Sequence, residues 1–221
     1  AYSYLKSLGE NNGKYVNKIV VIGPLSSFVP WEDEYFECFG VKPKSFKFSS
    51  VNSYEDKKNV LRGITSESYD LFLFSYQSLP GLEEFLIEFM QNSNNNVMLV
   101  CDEAHKFKNL KGIWAGSILG ISKYAKSRVI LTGTPAPNGY EDMYNLFKFI
   151  YPFKNVVGYT YEYLKQMTKK PIFSEIDEII NNITPYFLRI KKSDLNLPEV
   201  YDHKINNRLS QIENKIYNKL F

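Results

Sequence analysis

The chain has 221 residues, of which 44% are hydrophobic and 23% charged, with a formal net charge of +3. That is enough chain for one large domain or a domain with an appendage, in the composition of an ordinary soluble globule. It contains no apolar run long enough to span a bilayer and no visible secretory leader, and its charge is too mild to establish a nucleic-acid partner by itself.

The opening residues, "AYSYLKSLGE", already read as helical, so the chain is expected to start inside an element, as a fragment would. Five short apolar runs follow: "KIVVIG" from Lys18, "SFKFSS" from Ser45, "LFLFS" from Leu71, "VMLVC" from Val97 and "RVILTG" from Arg128. Most are continuous rather than alternating, the pattern of parallel strands covered on both faces. Helix-like stretches lie between them: "WEDEYFECF", "YEDKKNVLRG", "GLEEFLIEFMQN" and "WAGSILGISKYA". Strands alternating with helices predict an α/β fold with a parallel sheet and helices on both faces.

After Tyr140 the pattern becomes mostly helical, through "YEDMYNLFKFI", "YTYEYLKQM" and "SEIDEIINNI". Near the end, Ser210 and Glu213 stand at capping-box spacing and predict a helix start. The expected organisation is a lobe over residues 1–152 and a helical segment over 153–221. Cys38 and Cys101 form no metal or disulfide framework, which fits a reducing compartment. Cys101, inside an apolar strand, reads as a small buried hydrophobe.

The chemistry concentrates at two strand ends. "NVMLVCDEAHKFKN" closes a buried strand on Asp102 and Glu103, although an unpaired buried carboxylate is costly. In open α/β sheets, ligands bind beyond the carboxyl ends of the strands. Magnesium prefers one or two carboxylates together with waters and substrate phosphates, and an adjacent carboxylate can deprotonate an attacking water. Asp102 is therefore the candidate metal ligand and Glu103 the candidate base. On these two residues alone, a solvated Asp-Glu turn remains open. The second strand end, "RVILTGTPAPNG", sets Thr132, Gly133 and Thr134 where a small hinge could sense a phosphate; alone, a ligand-free turn is equally open. Taken together, the two ends point to a joint site.

With those residues in view, "DEAHKFKN" followed by "RVILTGTPAPNGYEDMYNLFKFIYP" resembles motifs II and III of superfamily-two helicases, specifically the Swi/Snf-type ATPases. "VVIGPLSSFVPWEDEYFECF" resembles that family's motif Ia and "YDLFLFSYQSL" its motif Ib. "ITPYFLRIKKSDLNLPEV" resembles the segment that closes the first lobe. The order and rough spacing match over nearly the whole chain.

The resemblance implies the first RecA-like lobe of a P-loop NTPase with a helical C-terminal extension, using ATP and Mg²⁺. It implies Asp102 and Glu103 as the magnesium and water-activating pair, and His105 as the link from the nucleotide to Thr132, Gly133 and Thr134. Ser26, Ser27, Ser75 and Tyr76, in the Ia and Ib loops, would grip nucleic-acid backbone, which positions without reading bases. Arg189 and Lys191 are further candidates, with Lys106, Lys108 and Lys111 after the acidic pair; a solvated Lys face is the alternative. Trp31 could stack a base, or simply pack beside its strand.

The implied partners are nucleic acid, in particular double-stranded DNA, and a second RecA-like lobe of the same parent chain, with no membrane. The expected location is intracellular, cytoplasmic in a bacterium or phage and nuclear in a eukaryote. The family's Gly-Lys-Thr phosphate loop does not occur in the sequence. The resemblance places it immediately before Ala1, and the arginines of the second lobe, worth roughly 10³–10⁵ in rate, are absent too. The expectation is thus a fragment of a DNA-dependent ATPase, a translocase, inactive by itself. The alternatives are a non-catalytic nucleic-acid-binding or protein-interaction module, or the motor lobe of a strand-separating helicase or restriction system.

Overall fold

The five apolar runs form five strands: β1 (Lys18–Gly23), β2 (Ser45–Phe48), β3 (Leu71–Ser75), β4 (Val97–Asp102) and β5 (Ser127–Leu131). The structure, a computed structural model, describes residues 1–7, 15–65, 68–108, 112–190, 194 and 210–220. The strands make one sheet in the order β2-β3-β1-β4-β5, with every neighbouring pair parallel. Helices connect and cover them: α1 (Tyr2–Ser7), α2 (Phe28–Phe39), α3 (Tyr54–Leu61), α4 (Glu83–Gln91), α5 (Ile113–Ser122) and α6 (Asp142–Ile150). Three more follow, α7 (Tyr161–Lys169), α8 (Phe173–Ile183) and α9 (Gln211–Leu220). The parallel α/β fold expected from the sequence is the fold observed.

Side-chain alternation explains why the strands read as unbroken apolar runs. On β1, Val20 and Ile22 enter a core with Phe72, Phe74, Leu99 and Cys101, closed by residues of α3, α4, α5 and α6. Ile19 and Val21 face the other way, against Leu71, Leu73, Met98 and Val100, under Tyr2 and Leu5 of α1 and Phe28 and Trp31 of α2. Both faces of the inner strands β3, β1 and β4 are covered, so their central residues are apolar on either side. Fully burying one such aliphatic side chain stabilises by about 1.5–3 kcal/mol, and Val20, Val21 and Ile22 are each completely buried.

The strand ends differ from the expected ones in an instructive way. β4 runs one residue further than its apolar stretch and includes Asp102. β5 stops at Leu131, which is the register partner of Asp102. Glu103 has left-handed backbone (φ 51°, ψ 48°), which turns the chain out of the sheet and leaves Thr132 and Gly133 no extended neighbour to pair with. They lie beyond the strand rather than in it. β2 likewise ends at Phe48, before Ser49 and Ser50.

A third apolar cluster joins Phe147 of α6 to Val156, Val157, Leu164, Met167, Ile179 and Ile183. It places α7 and α8 in the same compact unit as the sheet, which extends from Ala1 to Pro185. Residues 186–221 form a second unit. Its helix α9 opens on the expected capping box, with Ser210 N–H donating to Glu213 Oε2 at 2.8 Å and Glu213 N–H to Ser210 Oγ at 3.3 Å. No described helix is long and apolar enough to cross a membrane.

Candidate active site

The carboxyl ends of β1 and β4 lie side by side, because Ile22 pairs with Cys101. The next residues are Gly23 and Asp102. A Cβ on Gly23 would stand 2.9 Å from Ser27 Oγ and 3.2 Å from Asp102 Cβ, so any larger residue would have to displace them. Asp102 is held from three directions. Its Oδ2 accepts the Trp31 indole N–H at 3.1 Å, and its Oδ1 accepts the Glu103 N–H at 3.0 Å. Its main-chain carbonyl accepts the Tyr76 hydroxyl at 2.7 Å.

Glu103 is the sole non-glycine residue with positive φ among the described residues. Left-handed backbone costs an L-residue roughly 1–2 kcal/mol, and such strain gathers at functional sites. The turn that follows, Ala104–Phe107, buries Ala104 and Phe107 and leaves the Glu103 side chain 47% exposed. His105 Nδ1 sits 3.2 Å from Glu103 Oε2. The contact is poorly angled: Nδ1 is shielded from solvent and makes no hydrogen bond. We take this pair as close neighbours rather than as a formed ion pair.

Beyond β5, Thr134 N–H donates to Thr132 Oγ1 at 3.2 Å, which folds the Thr-Gly-Thr turn on itself. Thr132 is half-buried, whereas Gly133 and Thr134 are exposed. The register of Asp102 with Leu131 brings this turn beside the acidic pair. Among the described residues, no hydrogen bond joins His105 to Thr132 or Thr134.

The residues expected on a nucleic-acid face separate into distinct positions. Ser26 is exposed in the turn before α2. Ser27 is half-buried, its hydroxyl donating to Pro24 O at 2.9 Å, and it lines the Asp102 side of the turn. Ser75 and Tyr76 are both buried. Ser75 Oγ donates to Ser78 Oγ at 2.9 Å and accepts Ser78 N–H at 3.2 Å, capping a short turn of helix. Tyr76 is spent on Asp102. Their side chains therefore shape the interior, and the hydroxyls are already engaged. Arg189 is exposed in the second unit, and Lys191 lies outside the described residues.

Sequence reading missed the support behind the acidic pair. Asn145 of α6 is completely buried, and its Nδ2 donates to Phe107 O at 3.2 Å and Lys108 O at 3.1 Å. Asp142, also buried, accepts the Asn138 N–H at 2.9 Å and faces Lys108 Nζ at 3.6 Å. These contacts fasten the turn after Glu103 to the helix after the Thr-Gly-Thr turn. A signal existed: Asp142, Asn145 and Phe149 stand at i, i+3 and i+7, so two polar residues share a helix face with core residues.

The residues fit a magnesium–nucleotide group in part. Among the described residues, no cluster of three or more His, Cys, Asp or Glu could cage a metal. One or two carboxylates at a glycine-flanked strand end suit a Mg²⁺ whose other ligands are phosphates and water. A cavity of about 260 Å³ opens there, bordered by Tyr2, Ser27, Trp31, Asp102 and Leu131.

A parallel sheet with an acidic pair at the end of an inner strand agrees with the RecA-like lobe that the resemblance implies. The chain belongs to the SNF2-related domain family, whose model matches residues 3–221. It is 26% identical to Helicase SWR1 of Mycosarcoma maydis over 90% of this chain and 12% of that protein. It is 25% identical to the ATP-dependent helicase FUN30 of Saccharomyces cerevisiae over 99% of this chain and 20% of that protein. The chain thus spans an eighth to a fifth of these relatives. In fold it is similar to the Sulfolobus solfataricus SWI2/SNF2 ATPase core solved in complex with dsDNA, with a TM-score of 0.60 and 23% identity. That match covers 88% of this chain and 38% of the other.

Proposed function

We propose that these residues form the acidic wall of the ATP site in a nucleic-acid-stimulated, Swi/Snf-type motor that moves along double-stranded DNA. The observation that carries this reading is the placement of Asp102 and Glu103. Asp102 ends β4 inside the sheet, anchored on both oxygens, while Glu103 is thrown outward by its left-handed backbone. One carboxylate is fixed and the next is free, a division suited to holding Mg²⁺ and to taking a proton. Bound Mg²⁺ supplies charge neutralisation at the nucleotide phosphates.

The chain's own contribution is then positional and basic. Asp102 presents a carboxylate whose orientation is set by donors on α2 and on the next residue. Glu103, largely free of partners, accepts the proton of the attacking water at a carboxylate oxygen. His105 stands against Glu103, and the turn after β5 follows Leu131, the register partner of Asp102, so a change at the phosphates would have a short route to that turn. The 221 residues hold no Gly-Lys-Thr phosphate loop, so the rest of the site is contributed from elsewhere. A DNA track is supported by relatives named for DNA repair and recombination, 26% identical over 62% of this chain.

The test is ATP turnover, with and without double-stranded DNA, by a complete protein that carries these residues together with a phosphate loop and a second lobe. Glu103→Gln is expected to lower turnover by roughly 10²–10⁴, the scale of a general base. Turnover equal to that of the parent would overturn the assignment.

A further inference from the structure

Trp31 stands where neither base stacking nor simple packing accounts for it. Its ring is buried in the core under α1, edge-on to Tyr2 with centroids 5.2 Å apart. Its main-chain carbonyl accepts the Tyr2 hydroxyl at 2.9 Å, so backbone and ring are held by the same neighbour. The indole N–H then reaches Asp102 Oδ2 at 3.1 Å, across 71 residues of sequence. Asp102's other oxygen is already taken by the Glu103 N–H. The rotation of this carboxylate is therefore set by one donor on the next residue and one on α2.

We propose that Trp31 is a positioning residue for the metal-bearing carboxylate, its indole N–H fixing the plane of Asp102 and leaving the outer lone pairs directed to the strand end. The choice of side chain follows from charge. An indole N–H donates and does nothing else; it neither titrates nor ligates. Lys or Arg could hold the same oxygen, but would set a positive charge beside a cation. A neutral donor orients the carboxylate and leaves its full negative charge for the metal. α2 also begins directly after the Leu25–Ser27 turn with its exposed Ser26, so the contact ties the carboxylate to the position of that turn. This rests on the reading of Asp102 given under Proposed function.

The experiment uses a complete protein that carries these residues together with a phosphate loop and a second lobe, in two arms. In the first, 5-fluorotryptophan is placed specifically at position 31 and its fluorine resonance is recorded without ligand, in the parent and in Asp102→Asn. A shift between the two is expected, since the indole loses a charged acceptor; coincident resonances would overturn the contact. In the second arm, binding of a non-hydrolysable ATP analogue is measured by calorimetry with and without Mg²⁺, in the parent and in Trp31→Phe. Phe keeps the ring in the core, and the cavity beside Asp102 lets water satisfy the oxygen, so the fold is retained.

The expected result is a roughly tenfold weakening of the Mg²⁺-dependent part of binding, the usual scale for a residue that orients a metal ligand. Binding without Mg²⁺ should be unchanged. Equal losses with and without Mg²⁺ would mean that Trp31 serves packing only, and would overturn the positioning role. Should Trp31→Phe unfold, as circular dichroism would show, the fluorine resonance of the parent titrated with Mg²⁺ and analogue decides: a shift supports the role and no shift overturns it. A parent chain that binds no nucleotide would sink the functional reading itself, while the fluorine comparison still reports the contact separately.

Discussion

Tyr76 donates its phenolic hydrogen to the main-chain carbonyl of Asp102 at 2.7 Å, reaching from the end of β3 past β1 to the end of β4. The ring is almost wholly enclosed. Burial raises its pKa far above the ordinary phenol value, helped by Cys101, Asp102 and Glu103, so it stays a donor over the working pH range. Tyr76→Phe removes one buried hydrogen bond and strands a carbonyl, which costs about 1–3 kcal/mol. Urea unfolding of the chain should show this as a lower midpoint at constant slope. A midpoint within error of the parent would mean the bond contributes nothing.

Gly23 is the narrowest point of the site. Ala at this position would place its methyl group 2.9 Å from Ser27 Oγ and 3.2 Å from Asp102 Cβ. Overpacking of this kind costs about 1–3 kcal/mol. Because the hydroxyl makes the closer contact, Gly23→Ala combined with Ser27→Ala should recover part of the loss. Additive losses in the double variant would show that the crowding comes from the Asp102 side alone.

Asn145 bonds two carbonyls of the turn that follows the acidic pair. Asn145→Ala should destabilise by about 1–3 kcal/mol through the unpaired groups it leaves. Asn145→Asp should be at least as damaging, because it replaces the amide donor by a charge at a completely buried position. Thermal unfolding of both variants tests the order, and an Asp variant as stable as the parent would contradict it.

At the other end of the chain, the cap of α9 carries a pH signature. The main-chain N–H of Ser210, and then its side chain, hold the Glu213 carboxyl below its ordinary value of 4.5. A group depressed in the folded state contributes stability that is present above its unfolded pKa and lost as pH falls through the folded one. The first turn of α9 should therefore loosen as pH drops below 4.5. The protection of amides 211–214, relative to their intrinsic exchange rate at each pH, should fall there in the parent but stay constant in Glu213→Gln. Matching profiles for the two chains would rule the cap out as the cause.

Much of this was legible in the sequence, for identifiable reasons. Apolar runs marked all five strands, and in β1, β3 and β4 they are continuous because inner strands of a parallel sheet are covered on both faces. The Ser210–Glu213 cap was readable because both partners lie within one helical turn. The acidic pair and the Thr-Gly-Thr turn stood out because polar residues abruptly ended buried strands. What local pattern could not show was long-range partnership. Trp31 with Asp102, and Tyr76 with Asp102, join residues 71 and 26 positions apart, and no periodicity carries such a pairing. The same blindness hid the burial of Ser75 and Tyr76. A serine and a tyrosine after a strand look available to solvent until the fold supplies Ser78 and Asp102 as their acceptors.

The left-handed backbone at Glu103 has a consequence for how this sequence can be changed. At that one position glycine would suit the conformation better: roughly 1–2 kcal/mol of relieved strain against about 0.5–1 kcal/mol of added chain entropy. Glu103→Gly should thus melt at or slightly above the parent temperature while losing the carboxylate we propose as the base. A laboratory selection for heat resistance and one for turnover would pull this single codon in opposite directions, and whichever residue is recovered tells which pressure was applied.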